Sequence, residues 1–367
     1  MKRMFRKSLL WSLCHLTLGL MVAGPAFAQA VGGAKAPSLT ALPPGAKLHL
    51  DAAKSLIEQG LPRSAIGDFF TTLGNEGLVA SALLPPPNPP THPADRSHLP
   101  VVTPSKAFDN LYYIGNIYVG SWVLVTPDGI IQWDSMDNDD EAQNIIEAGY
   151  KTLGLDPARI KYIILTHGHG DHFGGVSYFT RKYPNIHVLS ADWDLMNRTL
   201  SNGGRMGPAP AFRAGVDMAV TDGQRLSLGG TTVTLYVTPG HTPGTVSAIF
   251  PVMDHAAKHV AAMFGGFGLP VHLAATDRDS GLDTYEKQFS RFAAAAKAAH
   301  ADSVVSTHPD FDGTAEKIEK NKLRGARDPS PWILGSSGFD RFVRLVHEAC
   351  AASRAIIVAA AAASPGK

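Results

Sequence analysis

From Phe108 onward the chain alternates short β-branched and aromatic runs with turn residues. Residues 111–114, 117–125 and 130–133 read as strands, with Pro127-Asp128-Gly129 as the turn between the last two. Asp139, Asp140 and Glu141 place negative charge where a helix N-terminus favours it. Ile146, Tyr150 and Leu153, at i, i+4 and i+7, give that helix one apolar stripe. Residues 160–165 form the next strand, and 176–183 a helix behind it. The second half repeats the theme. Residues 224–228 and 232–237 form a hairpin around Gly229-Gly230. Residues 247–250 and 259–263 read as further strands, 284–299 as a helix, and 303–306 as a short buried strand. An Ala-rich tail after Cys350 predicts a terminal helix. Two strand-rich halves, each flanked by helices, predict an α+β fold with a sheet-on-sheet core covered on both sides.

The chain before this region has a different texture. Residues 29–50 are a Gly-, Ala- and Pro-rich lead, and 51–60 a short helix with Asp51 as N-cap and Gly60 as stop. The run Pro85-Pro86-Pro87-Asn88-Pro89-Pro90, continued by Pro93, Pro100 and Pro104, must be extended and stiff. The chain therefore divides into residues 1–28, a Pro-rich N-terminal extension over 29–105 that wraps or tethers the rest, and a main domain over 106–367.

Residues 1–28 form a secretory signal peptide. Lys2, Arg3, Arg6 and Lys7 precede a mostly apolar stretch, and Ala26-Phe27-Ala28 is a small-x-small cleavage site that puts the mature start at Gln29. The segment is too short to span a membrane, so the expected location is periplasmic or secreted, with no membrane association after cleavage. Removing its four cations takes the formal charge from +1 to −3. Of the two cysteines, Cys14 leaves with the signal and Cys350 remains, so the mature chain has no internal disulfide and no cysteine to spare as a metal ligand. With 44% hydrophobic and 18% charged residues, the chain can bury a substantial core. No basic block is present, which argues against nucleic acid and leaves a small-molecule substrate as the partner; oligomeric state is not fixed by sequence.

The chemistry is concentrated in Thr166-His167-Gly168-His169-Gly170-Asp171-His172. Imidazole and carboxylate at this density suit two transition-metal ions held side by side. Gly168 and Gly170 let the backbone bend and aim neighbouring side chains at one point. The run follows an apolar strand, as a ligand loop would. His241 and His308 each sit in a Pro/Gly-fixed loop immediately after a strand, and this shared context joins them to the cluster. The other histidines, His187, His255, His259, His272, His300 and His347, lack such context and read as surface or packed structure. Phe212, Phe264, Phe267 and Leu269 are candidates for the mouth of the site.

Taken together, Asn110-Leu111-Tyr112-Tyr113-Ile114-Gly115, the cluster at 167–172, Asp222-Gly223, Leu228-Gly229-Gly230-Thr231-Thr232, Thr238-Pro239-Gly240-His241-Thr242-Pro243-Gly244 and Thr307-His308-Pro309 resemble the metallo-β-lactamase superfamily. Within it the resemblance is greatest to the third subclass, the His-rich dizinc exported enzymes, and it covers about residues 106–350. It implies a four-layer αβ/βα sandwich with two central mixed sheets and two Zn²⁺ ions at the rim between them. By motif, His167, His169 and His241 would hold the first zinc, and Asp171, His172 and His308 the second. Asp134 matches a carboxylate that supports a ligand from behind.

Two departures qualify the likeness. Many superfamily hydrolases place a bridging aspartate after the His241 loop, and residues 260–269 contain none, which favours the lactamase-like ligand set. The same stretch also lacks the serines with which the third subclass usually holds a substrate carboxylate; Phe267 and Gly268 stand there instead.

The function implied is an exported β-lactamase, an antibiotic-resistance activity, that opens the β-lactam amide with a zinc-bound hydroxide. Asp171 would be its catalytic carboxylate, orienting the hydroxide and taking its proton. The alternative is hydrolysis of a lactone, ester or thioester. No G-x-S-x-G serine elbow is present. A diiron redox protein would need a carboxylate where His169 stands, and a decayed binding protein would not keep six intact ligands.

Overall fold

The computed structural model describes residues 43–62, 99–199, 207–270 and 278–362. The signal-peptide segment, the proline run at 85–90 and His272 lie outside the described residues.

Two sheets form the core. In the first, β1 (Val101–Phe108), β2 (Leu111–Asn116), β3 (Gly120–Thr126) and β4 (Gly129–Trp133) run as an antiparallel meander. β5 (Ile160–Ile164), β6 (His187–Ser190) and β7 (Met218–Ala219) then add in parallel, in the order β1-β2-β3-β4-β5-β6-β7. Parallel neighbours need a crossover, and the helical residues 139–152 supply it between β4 and β5. Every residue of β4 is buried, as expected of a strand covered on both faces. The second sheet has the order β12-β11-β10-β9-β8, built from β8 (Arg225–Leu228), β9 (Thr231–Val237), β10 (Val246–Asp254), β11 (Ala257–Met263) and β12 (Ser303–Val304). Its last pair is parallel, joined through the helix Arg278–Ala298.

Apolar side chains fill three layers. Trp122, Trp133, Leu235, Phe250 and Val305 lie between the sheets, with Trp133 stacked on Phe250 at 4.6 Å. Ile146, Tyr150, Ile163 and Phe179 fill the outer face of the first sheet. Ile249, Phe289, Phe292 and Leu345 fill the outer face of the second. This is the αβ/βα arrangement that the sequence predicts: helix, sheet, sheet, helix.

The N-terminal extension enters this architecture further than its composition suggests. Strand β1 starts at Val101, ahead of the boundary placed at 106. The helix expected at 51–60 is α1, Pro44–Glu58, and it begins two turns earlier because Pro44 occupies its first turn, where a missing N–H costs nothing. Asp51 is therefore not a cap; it faces solvent and pairs with Lys47. Gly60, at φ 107°, does follow the helix end. Ala46, Leu50, Ala53 and Leu56 form the buried face of α1, in one apolar cluster with Leu345, Ala349, Ala352 and Ile356 of the C-terminal helix Gly335–Ala362. The buried Cys350 thiol belongs to the same layer.

Because Leu50 is 1% exposed and Leu48 is 67% exposed, the two report on different environments. Leu50→Ala is expected to lower the unfolding free energy by about 3 kcal/mol, and Leu48→Ala by less than about 0.5 kcal/mol. Denaturant melts of the two variants check this; coincident midpoints would mean that α1 does not belong to the cooperative core.

Candidate metal centre

Four strand ends deliver the site. Asp134 follows β4, the 166–172 run follows β5, His241 follows β9 and His308 follows β12. The structure gathers the six side chains singled out in sequence into two groups: His167, His169 and His241, and Asp171, His172 and His308. In each group the candidate ligand atoms lie within 4.8 Å of one another.

Four of the five imidazoles are oriented from behind. The Nδ1 of His167 faces the carbonyl of Gly265 at 2.9 Å, and that of His241 faces the carbonyl of Gly268 at 2.7 Å. The Nδ1 of His308 faces the carbonyl of Tyr118 at 2.7 Å, and that of His172 faces Asp134 Oδ2 at 2.7 Å. These acceptors require the proton on Nδ1, so in the neutral ring each Nε2 turns its lone pair inward. The inward atoms are close: 3.1 Å between His167 and His241, 3.1 Å between His172 and His308, and 3.2 Å from His241 Nε2 to His169 Nδ1. Opposed lone pairs at this range repel unless a cation stands between them. A tetrahedral ion with metal–nitrogen bonds of about 2.0–2.1 Å sets its nitrogens roughly 3.3 Å apart, so the donor set fits.

Electrostatics differ between the two groups. Burial pushes His167 well below the usual imidazole range, and the surrounding histidines push it further, which keeps it neutral. Burial also pulls His172 down, but the carboxylates of Asp134 and Asp171 outweigh it and the net shift is upward. Asp171 is 8% exposed, with Oδ1 at 3.6 Å from His172 Nε2 and Oδ2 at 3.8 Å from His308 Nε2.

Asp134 holds the rear of the second group. It adopts φ 58°, a costly region for a non-glycine residue, and is completely buried. The Thr166 amide donates to its Oδ1 at 2.8 Å and the Thr166 hydroxyl to its Oδ2 at 2.7 Å, beside the His172 ring. Asp192 does the corresponding work for the first group. The amides of Gly168 and Gly244 donate to it at 2.8 and 2.6 Å, and so does the Thr242 hydroxyl, tying the His167–His169 loop to the His241 loop. A Cβ on Gly168 would stand 2.9 Å from the Asp192 Cβ, so glycine is needed there for close approach. Sequence reasoning missed Asp192. The available signal was a carboxylate just past the end of an apolar strand, β6, the same placement that marked Asp134.

A cavity of about 170 Å³ opens over the two groups, walled by Tyr118, Phe264, Phe267, Leu269 and Phe311. Phe264, Phe267 and Leu269 line it as expected; Phe212 instead packs edge-on against Trp193 at 5.0 Å. Other histidines have structural partners: His259 pairs with Asp302 at 2.6 Å, His347 with Glu286 at 3.5 Å, and His255 contacts the Asp328 carbonyl at 3.2 Å.

Residues 118–254 match the sequence model of the metallo-beta-lactamase superfamily. The chain carries a metallo-β-lactamase domain. Among solved structures, it is similar to a subclass B3 metallo-β-lactamase of Bradyrhizobium japonicum, with 26% identity and a TM-score of 0.58 over 72% of this chain and 97% of that one. A metallo-β-lactamase of Cronobacter sakazakii gives 26% and 0.57 over 72% and 97%. The native metallo-β-lactamase from Legionella gormanii, at 20% identity and a TM-score of 0.56 over 67% and 93%, shares the fold. Among curated proteins, hydroxyacylglutathione hydrolase of Klebsiella pneumoniae is 38% identical over 84 residues, 23% of this chain and 27% of that protein. The enzyme of the same name from Photobacterium profundum is 33% identical over 99 residues, 27% and 32% of the two chains. The match thus spans about a third or less of these curated relatives. The chain accordingly has the metallo-β-lactamase fold, and its two His/Asp groups suit metal ions.

Asp134→Asn in this domain replaces an anionic acceptor with an amide that must turn a donor toward Thr166 or His172. Metal affinity is expected to fall about 10–100-fold, as read by competition with a chromophoric chelator; unchanged affinity would remove Asp134 from the ligand-supporting role.

Proposed function

We propose that this metallo-β-lactamase-fold hydrolase binds two zinc ions and opens the amide of a β-lactam ring. The observation that carries the reading is the pairing of inward-facing ring nitrogens, His167 with His241 and His172 with His308, each pair at 3.1 Å. Beside them the Asp171 carboxylate lies 3.6 Å from His172 Nε2 through Oδ1 and 3.8 Å from His308 Nε2 through Oδ2. In this reading His167, His169 and His241 hold one ion, and Asp171, His172 and His308 the other. Two zinc ions there would supply Lewis acidity and a water whose pKa falls from 15.7 toward about 7.

The protein's own part follows from its geometry. The inward imidazoles fix where a carbonyl can approach. Asp171 orients the attacking water and takes its proton, then holds that proton within reach of the leaving nitrogen. Phe264, Phe267 and Phe311 limit bulk water at the mouth. Likeness to a subclass B3 metallo-β-lactamase and to a second metallo-β-lactamase, along nearly the whole length of each, favours a β-lactam as substrate. The reading includes export, on the strength of the basic, apolar and Ala-Phe-Ala pattern of residues 1–28.

A second reading, hydrolysis of a thioester, ester or lactone, is favoured by two observations. Curated relatives named hydroxyacylglutathione hydrolase match locally, and the cavity wall is apolar where an acyl group would lie.

Purified protein assayed with a chromogenic cephalosporin, a carbapenem, an acyl lactone and an acyl-glutathione thioester, each with and without EDTA, separates the two. Chelator-sensitive β-lactam turnover is the expected outcome; thioester or lactone turnover alone selects the second reading. Asp171→Ala and His308→Ala should each lower kcat by about 10²–10⁴-fold and reduce bound zinc from two per chain to one. Full turnover with a single zinc per chain would overturn the assignment.

A further inference from the structure

The two metal groups are braced by different parts of the chain. His167 and His241 lean on carbonyls of the 265–268 loop. His172 leans on Asp134. The remaining two members of the second group, Asp171 and His308, both lean on one residue, Tyr118.

Tyr118 lies between β2 and β3, where the chain breaks its strand pairing at residues 117–119. This break is rigid. Asn116 Oδ1 accepts from the amides of Tyr118 and Val119, both at 2.8 Å, and the Gly120 amide donates to the Thr307 carbonyl at 2.8 Å. The loop is thereby stitched to the residue preceding His308. From this base Tyr118 acts twice. Its carbonyl accepts from His308 Nδ1 at 2.7 Å, and its phenol donates to Asp171 Oδ2 at 2.8 Å. Its ring also stands edge-on to His308, with centroids 4.8 Å apart at 72°. The side chain is 6% exposed and faces the cavity.

We propose that Tyr118 is a positioning residue for the second metal group: its phenol fixes the Asp171 carboxylate in the rotamer that holds the second ion, while its carbonyl fixes the ring of His308. This rests on the two-zinc reading above. The phenol bond is a charge-assisted one to an anionic acceptor, the kind that sets geometry firmly. With Oδ2 committed to the phenol, Asp171 presents Oδ1 toward His172. The phenol's bond is to Asp171, a member of the second group, so its loss is expected to act first on that ion.

Tyr118→Phe tests the role cleanly, because it keeps the ring, the carbonyl and the edge contact and removes one hydroxyl. Unaltered and variant holoenzymes are dialysed against graded EDTA, and retained zinc is measured by atomic emission. The variant should release its second equivalent at least about 10-fold more readily, with the first equivalent retained as in the unaltered protein. Identical release curves, or equal weakening of both equivalents, would overturn the role of Tyr118 while leaving the two-zinc reading intact. An unaltered protein holding a single zinc per chain would overturn the two-zinc reading, and this role with it.

Discussion

The site is organised by one electrostatic constraint: bare imidazole nitrogens are held 3.1 Å apart by acceptors behind the rings. Left alone, such pairs repel, and burial removes the water that would screen them. Neutral His167, kept so by desolvation and by its neighbours, cannot relieve the crowding by taking a proton. A cation can. The acceptors behind the rings, the carbonyls of Gly265, Gly268 and Tyr118 and the carboxylate of Asp134, therefore do more than decorate the site; they choose the tautomer that makes it a receptor for metal.

Meeting that constraint requires loops from both sheets to converge with little freedom, and buried carboxylates at strand ends supply the fastening. Asp134, past β4, grips Thr166 and the His172 ring. Asp192, past β6, grips the amides of Gly168 and Gly244, which belong to loops from different sheets. An anion buried this deeply is tolerated because several donors meet it. The strained backbone of Asp134 is held in place by the same three interactions that make it useful. Between the sheets, Trp122 donates its indole N–H to the Ser306 carbonyl at 2.7 Å, so the inter-sheet core reaches directly to the strand end that carries His308.

Much of this was legible in sequence because the signals were local. The 167–172 run declares its ligands at short spacing, and His241 and His308 announce themselves by following strands. What escaped lay in contacts remote along the chain. Sequence places Tyr118 within a strand over 117–125, since Ile117, Tyr118 and Val119 are all good strand formers; the break exists because Asn116 captures two amides with its side chain. Strand β6, and therefore Asp192, carries little sequence signal, because four residues give too little periodicity. Asp51 looks like a cap and predicts too late a start for α1, whereas the apolar stripe beginning at Ala46 wins by packing on the C-terminal helix.

The 264–269 segment explains why the substrate question turns on shape as well as on ligands. A Cβ on Gly266 would lie 2.5 Å from the Cβ of His241, and one on Gly268 would lie 3.0 Å from its Cε1. The loop wraps the imidazole so closely that neither position can carry a side chain toward a substrate. Phe264 and Phe267, between and beside these glycines, turn into the aromatic layer against Phe289 rather than into water. A segment that could have offered hydroxyls to a substrate carboxylate is thus occupied in holding His241. Any carboxylate on the substrate must find its partner elsewhere on the rim, whereas an uncharged acyl group meets a wall already suited to it.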